Sequence, residues 1–309
     1  MKYIYFGSSY FSEAVLSSLY FKGLSPAVIV SKPDKPKGRG LKLQPTQVSL
    51  FAQSKKIRLI KPQSLRDKIV EEELSREKPE LFVIADYGKI IPLTLLAIPR
   101  ILSLCLHPSL LPRYRGPTPI ERTLINGDKE TGATVFKVNE RIDAGEIILQ
   151  RKIAVDYKDD FFSLRQRLIE ENVLALAEAI KKIENKNYNL TAQEESLASW
   201  TSKLKKEDGR INWEHSAENI RNLIRALLEW PTAYTYHKDL MIKILETEVV
   251  NEKTDAAAGT VINITKQGID ITASEGILRI KKVKPQGKKE MDAFSFTHGY
   301  KVKEGDRFV

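Results

Sequence analysis

Short, wholly apolar runs alternate with amphipathic stretches through the first half of the chain. Residues 3–6, 27–31, 81–85 (LFVIA) and 101–106 (ILSLCL) predict strands buried on both faces. Residues 12–21 have helical spacing, and residues 92–98 predict a short helix between the last two strands. This alternation predicts an α/β fold with a doubly wound, mostly parallel sheet, which presents ligands at the carboxyl ends of its strands. Residues 161–184 hold the longest helical pattern, with apolar positions three and four apart. The period is then lost. Residues 185–208 are polar and rich in Asn and Lys, and read as a linker. A helical stretch near 217–228 is followed by brief alternating segments at 241–245, 259–264, 268–272 and 277–283, separated by small turns. Short strands with tight turns predict a small β-barrel. The expected division is an α/β domain over 1–189, a linker over 190–207 and a barrel over 208–309.

Composition narrows the class. A length of 309 residues suits two domains, and 42% hydrophobic with 29% charged residues suits a globular protein. No apolar run approaches the roughly 20 residues of a membrane span. The opening MKYIYFGSS does not resemble a signal peptide, because Gly7 interrupts a short apolar run. A single cysteine excludes an internal disulfide framework, and the four histidines lack metal-ligand spacing. The expectation is a cytoplasmic, monomeric protein with no membrane partner and no metal. Net charge is +10. Residues 32–42 carry five bases and one acid, and residues 279–289 six bases and no acid. Each contains Pro and Gly and reads as loop or loop edge rather than helix face, so convergence on a polyanion such as RNA competes with plain solubility charge.

The densest chemistry lies in residues 103–119, SLCLHPSLLPRYRGPTP. His107 ends an apolar strand, and prolines at 108, 112 and 117 stiffen the loop after it. Asp143, in NERIDAGEIIL, precedes another strand-like run. A carboxylate beside a histidine holds one tautomer and raises its proton affinity. His215, His237 and His298 have no comparable setting.

HPSLLPRYRGPTPIERTLINGDKETGAT followed by RIDAGEIIL resembles the signature of folate-dependent formyltransferases. The resemblance implies catalysis by His107 and Asp143 and a folate-binding loop at Ser109, Leu110, Leu111 and Pro112. VIADYGKIIP resembles a further folate-pocket segment, which implies Asp86, Tyr87 and Gly88. The loop SKPDKPKGRGLKLQPT, the opening YFGSSYF, the run SKLKKEDGRINW, the EWPTAY and AAAGTV segments, and QGKKEM resemble the branch that formylates methionyl-tRNA. These motifs run in order along essentially the whole chain. They imply a donor, 10-formyltetrahydrofolate, and an acceptor, the α-amine of methionine on initiator tRNA, with a C-terminal barrel similar to an OB-fold. RNA contacts are then expected from Lys37, Arg39 and Lys42, and from Lys281, Lys282, Lys288 and Lys289.

One position departs from the pattern. Cys105 stands where the family's Asn-x-His motif has Asn. A thiol is a poor donor, and losing one oxyanion donor costs about 100- to 1,000-fold in rate. A slow enzyme, an enzyme with a substitute donor, and a silenced tRNA- or folate-binding relative are the readings this leaves. Formyl transfer to a small amine such as a sugar nucleotide is the rival activity, though it has no use for two basic segments and a barrel.

Overall fold

A computed structural model describes residues 1–37, 40–250 and 254–309. Two compact units account for it. The first comprises Met1–Gly116, Glu130–Ala154 and Arg165–Trp200, and the second Pro117–Lys129, Val155–Leu164 and Thr201–Val309.

In the first unit the apolar runs form the predicted strands. These are β1 (Tyr3–Gly7), β2 (Val28–Val30), β5 (Leu59–Ile60), β6 (Leu81–Ala85) and β7 (Leu102–His107). They pair in parallel in the order β5-β2-β1-β6-β7. β8 (Glu130–Lys137) and β9 (Ile147–Ala154) extend the β7 edge antiparallel. β3 (Lys35–Lys37) and β4 (Lys42–Gln44) form a separate two-stranded ribbon. The sequence direction reverses at β1, which has β2 on one side and β6 on the other, so the crevice favoured by ligands opens beyond the ends of β1 and β6.

Helices cover both faces. On one lie α1 (Tyr10–Phe21), α2 (Gln47–Ser54) and the long α6 (Phe161–Glu184), whose Val15, Leu16, Leu19 and Leu176 are fully buried against Tyr5, Val83 and Leu104. On the other, α3 (Lys68–Arg76) and α4 (Leu93–Leu96) place Leu74 and Leu95 against Phe6, Phe82 and Ile84. Each such side chain contributes about 1.5–3 kcal/mol by leaving water. Ser9 and Thr46 cap α1 and α2, accepting from the Ser12 and Ser49 amides at 3.1 and 3.0 Å.

The second unit is a barrel-like antiparallel sheet. β10 (Tyr234–His237), β11 (Leu240–Val250), β14 (Ile277–Pro285), β13 (Gly268–Thr272) and β12 (Val261–Thr265) pair in that order, with β15 (Met291–Asp292) on β14. The final residues join the two ends of this row. Val309 exchanges backbone hydrogen bonds with Tyr236, and Phe308 donates to Gly259 at 2.8 Å. Neither β10 nor β12 is thereby left as a bare edge. α7 (Ala217–Ala226) and α8 (Ala293–Tyr300) pack on the sheet, α7 with Ile220 and Ile224 inward. α7 also contacts α5 (Pro119–Ile125). The Arg221 guanidinium lies 3.6 Å from the Tyr157 ring centroid, and Arg225 Nη1 donates to the Asp159 carbonyl at 2.8 Å.

The alternating segment expected over 277–283 forms β14, which carries most of the basic run, and only its end at 286–289 is loop. Ile280 and Val283 are buried, and this apolar alternation outweighs the lysines between them.

Candidate active site

His107 is the last residue of β7, and the sheet buries it to 5% exposure. Its Nε2 lies 2.8 Å from the Tyr114 carbonyl. A carbonyl only accepts, so Nε2 carries the hydrogen and, in the neutral ring, Nδ1 carries the lone pair. That lone pair faces Asp143, whose Oδ2 lies 3.7 Å from Nδ1, an ion-pair rather than a hydrogen-bond distance. Asp143 sits in a turn between β8 and β9 with φ +49°, a left-handed conformation uncommon for a residue with a side chain. The turn is tight. A Cβ on Gly145 would lie 1.7 Å from the Lys137 carbonyl oxygen, so only glycine admits this approach. The Gly116 amide donates to Asp143 Oδ2 at 2.8 Å and orients the carboxylate.

Cys105 lies two residues before His107 and therefore on the same face of β7. It is partly buried, and among the described residues its Sγ–H meets the Leu106 carbonyl alone, at 3.6 Å. Burial, with Asp143 and Asp86 adding negative charge, pushes the thiol well above its usual range. Cys105 is thus held as a thiol, unsuited to act as a nucleophile.

Asp86 is exposed at the end of β6 with φ +43°, and Gly88 comes two residues later at φ +69°. Between them Tyr87 is buried, its ring edge-on to Phe6 at 5.7 Å. Burial pushes the Tyr87 phenol up to about 12, and its hydroxyl has no partner among the described residues. Asp86 lines a cleft of about 670 Å³ with Ser8, Ser9, Lys32, Lys35 and Thr46, at the crevice named by the strand order. His107 is not among the residues lining it.

The loop after His107 is held from below. Thr134 Oγ1 donates to the Ser109 carbonyl at 2.6 Å and accepts from the Leu111 amide at 3.2 Å. Gln150 Nε2 donates to the Leu111 carbonyl at 2.8 Å. Ser109 and Leu111 are buried, while Leu110 and Pro112 stay half-exposed. A flat, partly apolar ring system fits that surface, and the rigid backbone beneath it costs little further ordering on binding.

The expected RNA contacts are spread over both units. Lys42 is exposed on β4, and Lys37 ends β3, while Arg39 lies outside the described residues. Lys281 pairs with Glu248 at 2.6 Å and Lys282 with Glu290 at 3.0 Å, whereas Lys288 and Lys289 are exposed in the turn after β14. Among the described residues no group of three or more His, Cys, Asp or Glu side chains is arranged to hold a metal, and no helix is long and apolar enough to cross a membrane.

Two buried polar residues absent from the sequence expectations reach the turn that carries Asp143: Gln193 directly, and Arg115 through Gln193. Arg115 is fully buried, and Gln193 is 9% exposed. In sequence both are polar residues in polar stretches. The only signal was Arg115's place in the proline-stiffened loop.

Comparison with known proteins leads in the same direction. Residues 1–180 match the formyl transferase family model, and residues 203–301 match the formyl transferase C-terminal domain. A methionyl-tRNA formyltransferase of Thermodesulfovibrio yellowstonii is 37% identical over 302 residues, covering 98% of this chain and 97% of that protein. Among solved structures, the N-formyltransferase from Helicobacter canadensis, in complex with folinic acid and dTDP-3-aminofucose, superposes with a TM-score of 0.68 at 18% identity. It covers 91% of this chain and 99% of its own. HypX from Aquifex aeolicus in complex with tetrahydrofolic acid gives 0.66 at 15% identity over 100% of this chain, which spans about half of HypX (50%). At these identities the two structures share the fold.

Proposed function

This chain belongs to the formyl transferase family, and from that membership we propose that it formylates the α-amine of methionine on initiator tRNA, with 10-formyltetrahydrofolate as donor. The observation that carries the reading is the His107–Asp143 pair, 3.7 Å apart on the carboxyl-end side of the sheet and next to a braced, half-apolar loop.

The donor, when bound, supplies an activated formyl carbon and a nitrogen leaving group. Leu110 and Pro112 offer it an apolar contact, with Asp86 and Gly88 exposed at the end of the neighbouring strand β6. His107 takes a proton at Nδ1 as the acceptor amine adds to the formyl carbon, because the Tyr114 carbonyl keeps the other hydrogen on Nε2. Asp143 stabilises the imidazolium so formed. The charged ring in turn favours negative charge growing on the formyl oxygen, and it returns the proton to the departing nitrogen. Neither residue forms a covalent bond to the formyl group, and the mechanism assigns no step to a metal.

Residues 1–189 are assigned to catalysis, and residues 208–309 with Lys37, Arg39 and Lys42 to RNA. Of the four barrel lysines expected to meet RNA, Lys288 and Lys289 are exposed, while Lys281 and Lys282 would exchange a carboxylate partner for phosphate. A cytoplasmic, monomeric enzyme completes the reading. The test offers the purified protein 10-formyltetrahydrofolate with methionyl-tRNA in one reaction and dTDP-3-aminofucose in another. Formyl-methionyl-tRNA is expected, with negligible product from the sugar. Turnover of the sugar alone, or of neither, overturns the proposal.

A further inference from the structure

We propose that Gln193 is a positioning residue for Asp143, and that Arg115 fixes the orientation of the Gln193 amide. The inference rests on the reading that Asp143 acts with His107.

Gln193 Nε2 donates to the Asp143 carbonyl at 2.9 Å and to the Gly145 carbonyl at 2.7 Å. Its Oε1 accepts from Arg115 Nε at 3.0 Å and from Nη2 at 2.8 Å. Both hydrogens and both lone pairs of the amide are thus in use. A flipped amide would set its NH₂ against the guanidinium and its oxygen against two carbonyls, so one orientation survives. Arg115 is itself held. Glu195 receives Nη1 and Nη2 at 3.0 Å each, the guanidinium lies 5.3 Å from the Trp200 ring centroid, and the Arg115 amide donates to the Ser199 carbonyl at 2.8 Å. The hydrogen bonds from Arg115 hold the Glu195 carboxyl below its usual range.

The consequence lies at the turn between β8 and β9. Its left-handed residue, Asp143, needs outside restraint to stay in that conformation. Gln193 grips the backbone on both sides of residue 144, and Gly116, the residue after Arg115, grips the carboxylate. One backbone segment therefore supplies both Arg115 and Gly116. The segment holding Gln193 is fixed as well: Thr191 exchanges backbone hydrogen bonds with Ile147 at the start of β9, at 2.8 and 2.9 Å. The stretch that reads as a linker in sequence thereby bridges the loop after His107 to the turn carrying Asp143.

Two full-length variants test this. Gln193→Met keeps length and neutrality but removes all four bonds. Gln193→Glu keeps an acceptor for Arg115 and removes only the two donors, so it guards against a folding failure of the first. Both are expected to lower kcat for formylation about 100-fold, the usual cost of a misplaced catalytic group, with KM for donor and tRNA within about twofold. The second readout needs no turnover. The Gly116 amide, losing a fixed Asp143 as acceptor, should exchange with solvent at least about tenfold faster relative to the Val135 amide in β8. A wild-type protein that formylates nothing sinks the functional reading, and the exchange measurement still decides this one. An unchanged Gly116:Val135 ratio in a folded variant overturns the inference. So does a lower Tm with kcat intact, which would make Gln193 merely structural.

Discussion

Replacing Cys105 by Asn places an amide where the resemblance to the formyltransferase motif implies one. Among the described residues the thiol makes one weak hydrogen bond, 3.6 Å to a neighbouring carbonyl, and burial, with the negative charge of Asp143 and Asp86, pushes its pKa well above the usual range. It therefore contributes almost no donation toward a developing oxyanion. An amide N–H in that role is worth about 2.7–4 kcal/mol in the transition state, or about 100- to 1,000-fold in rate. The opposing effect is volume, since Asn carries two more side-chain heavy atoms than Cys. Cys105 pairs with Ile84 and Phe136 across the sheet and packs on the cluster under α3 and α4, so crowding costs up to about 1–3 kcal/mol. That cost falls mainly on folding stability and only in part on the reaction barrier. The same carboxylates that disfavour a thiolate favour an amide NH₂ beside them. The expected outcome is a kcat higher by about 10- to 1,000-fold, a donor KM within about twofold, and a Tm lower by a few degrees. Single-turnover formylation with thermal unfolding of both proteins measures this. An unchanged kcat in a folded variant would refute the reasoning, and a backbone amide or water would then be the donor.

Removing the ring in His107→Ala should cut kcat at least about 1,000-fold while folate affinity, read by fluorescence quenching, stays within about threefold; loss of binding would make the residue architectural. Changing Lys288 and Lys289 together to Ala should reduce the slope of log K against log salt for tRNA by about 1–2, one unit per lost phosphate contact, and an unchanged slope would remove this turn from the RNA surface. In the barrel, the Lys303 amide and His237 Nε2 both reach Asp306 Oδ2 at 3.0 Å and hold its carboxyl below the usual range. A depressed carboxyl stabilises the fold above its unfolded value, near 3.9, and loses that contribution as pH falls through the folded value. The Tm gap between wild type and Asp306→Asn should thus be open at pH 7 and close below about pH 4; a gap that widens in acid contradicts the assignment.

The legible part of the sequence came from periodicity and chain order. Wholly apolar runs of about five residues, too short for helices and set between amphipathic stretches, read as buried strands, so the parallel sheet and the place of His107 at a strand end could be read directly. Asp143 was legible only through its family motif, because an Asp before Ala-Gly usually marks a plain turn. Arg115 and Gln193 were illegible because burial of a polar side chain depends on partners remote in sequence, such as Arg115 with Glu195. The strand over 277–285 was legible despite its lysines, because the apolar half of the pattern decides the fold. Residues 117–129 carry a family motif next to His107, yet they pack with α7, a preference that no local pattern encodes.

That last preference bears on how the chain can be cut and when it can fold. The second unit takes Pro117–Lys129 and Val155–Leu164 from within the sequence of the first. No single cleavage point yields both units intact. A fragment of residues 208–309 would lack Tyr157, on which Arg221 stacks, and the Asp159 carbonyl, to which Arg225 donates. On the ribosome, α5 emerges long before α7 and must wait for it without its native cover. Fusion or domain exchange at residue 200 would therefore break two units, and a graft of the barrel must carry both short excursions with it.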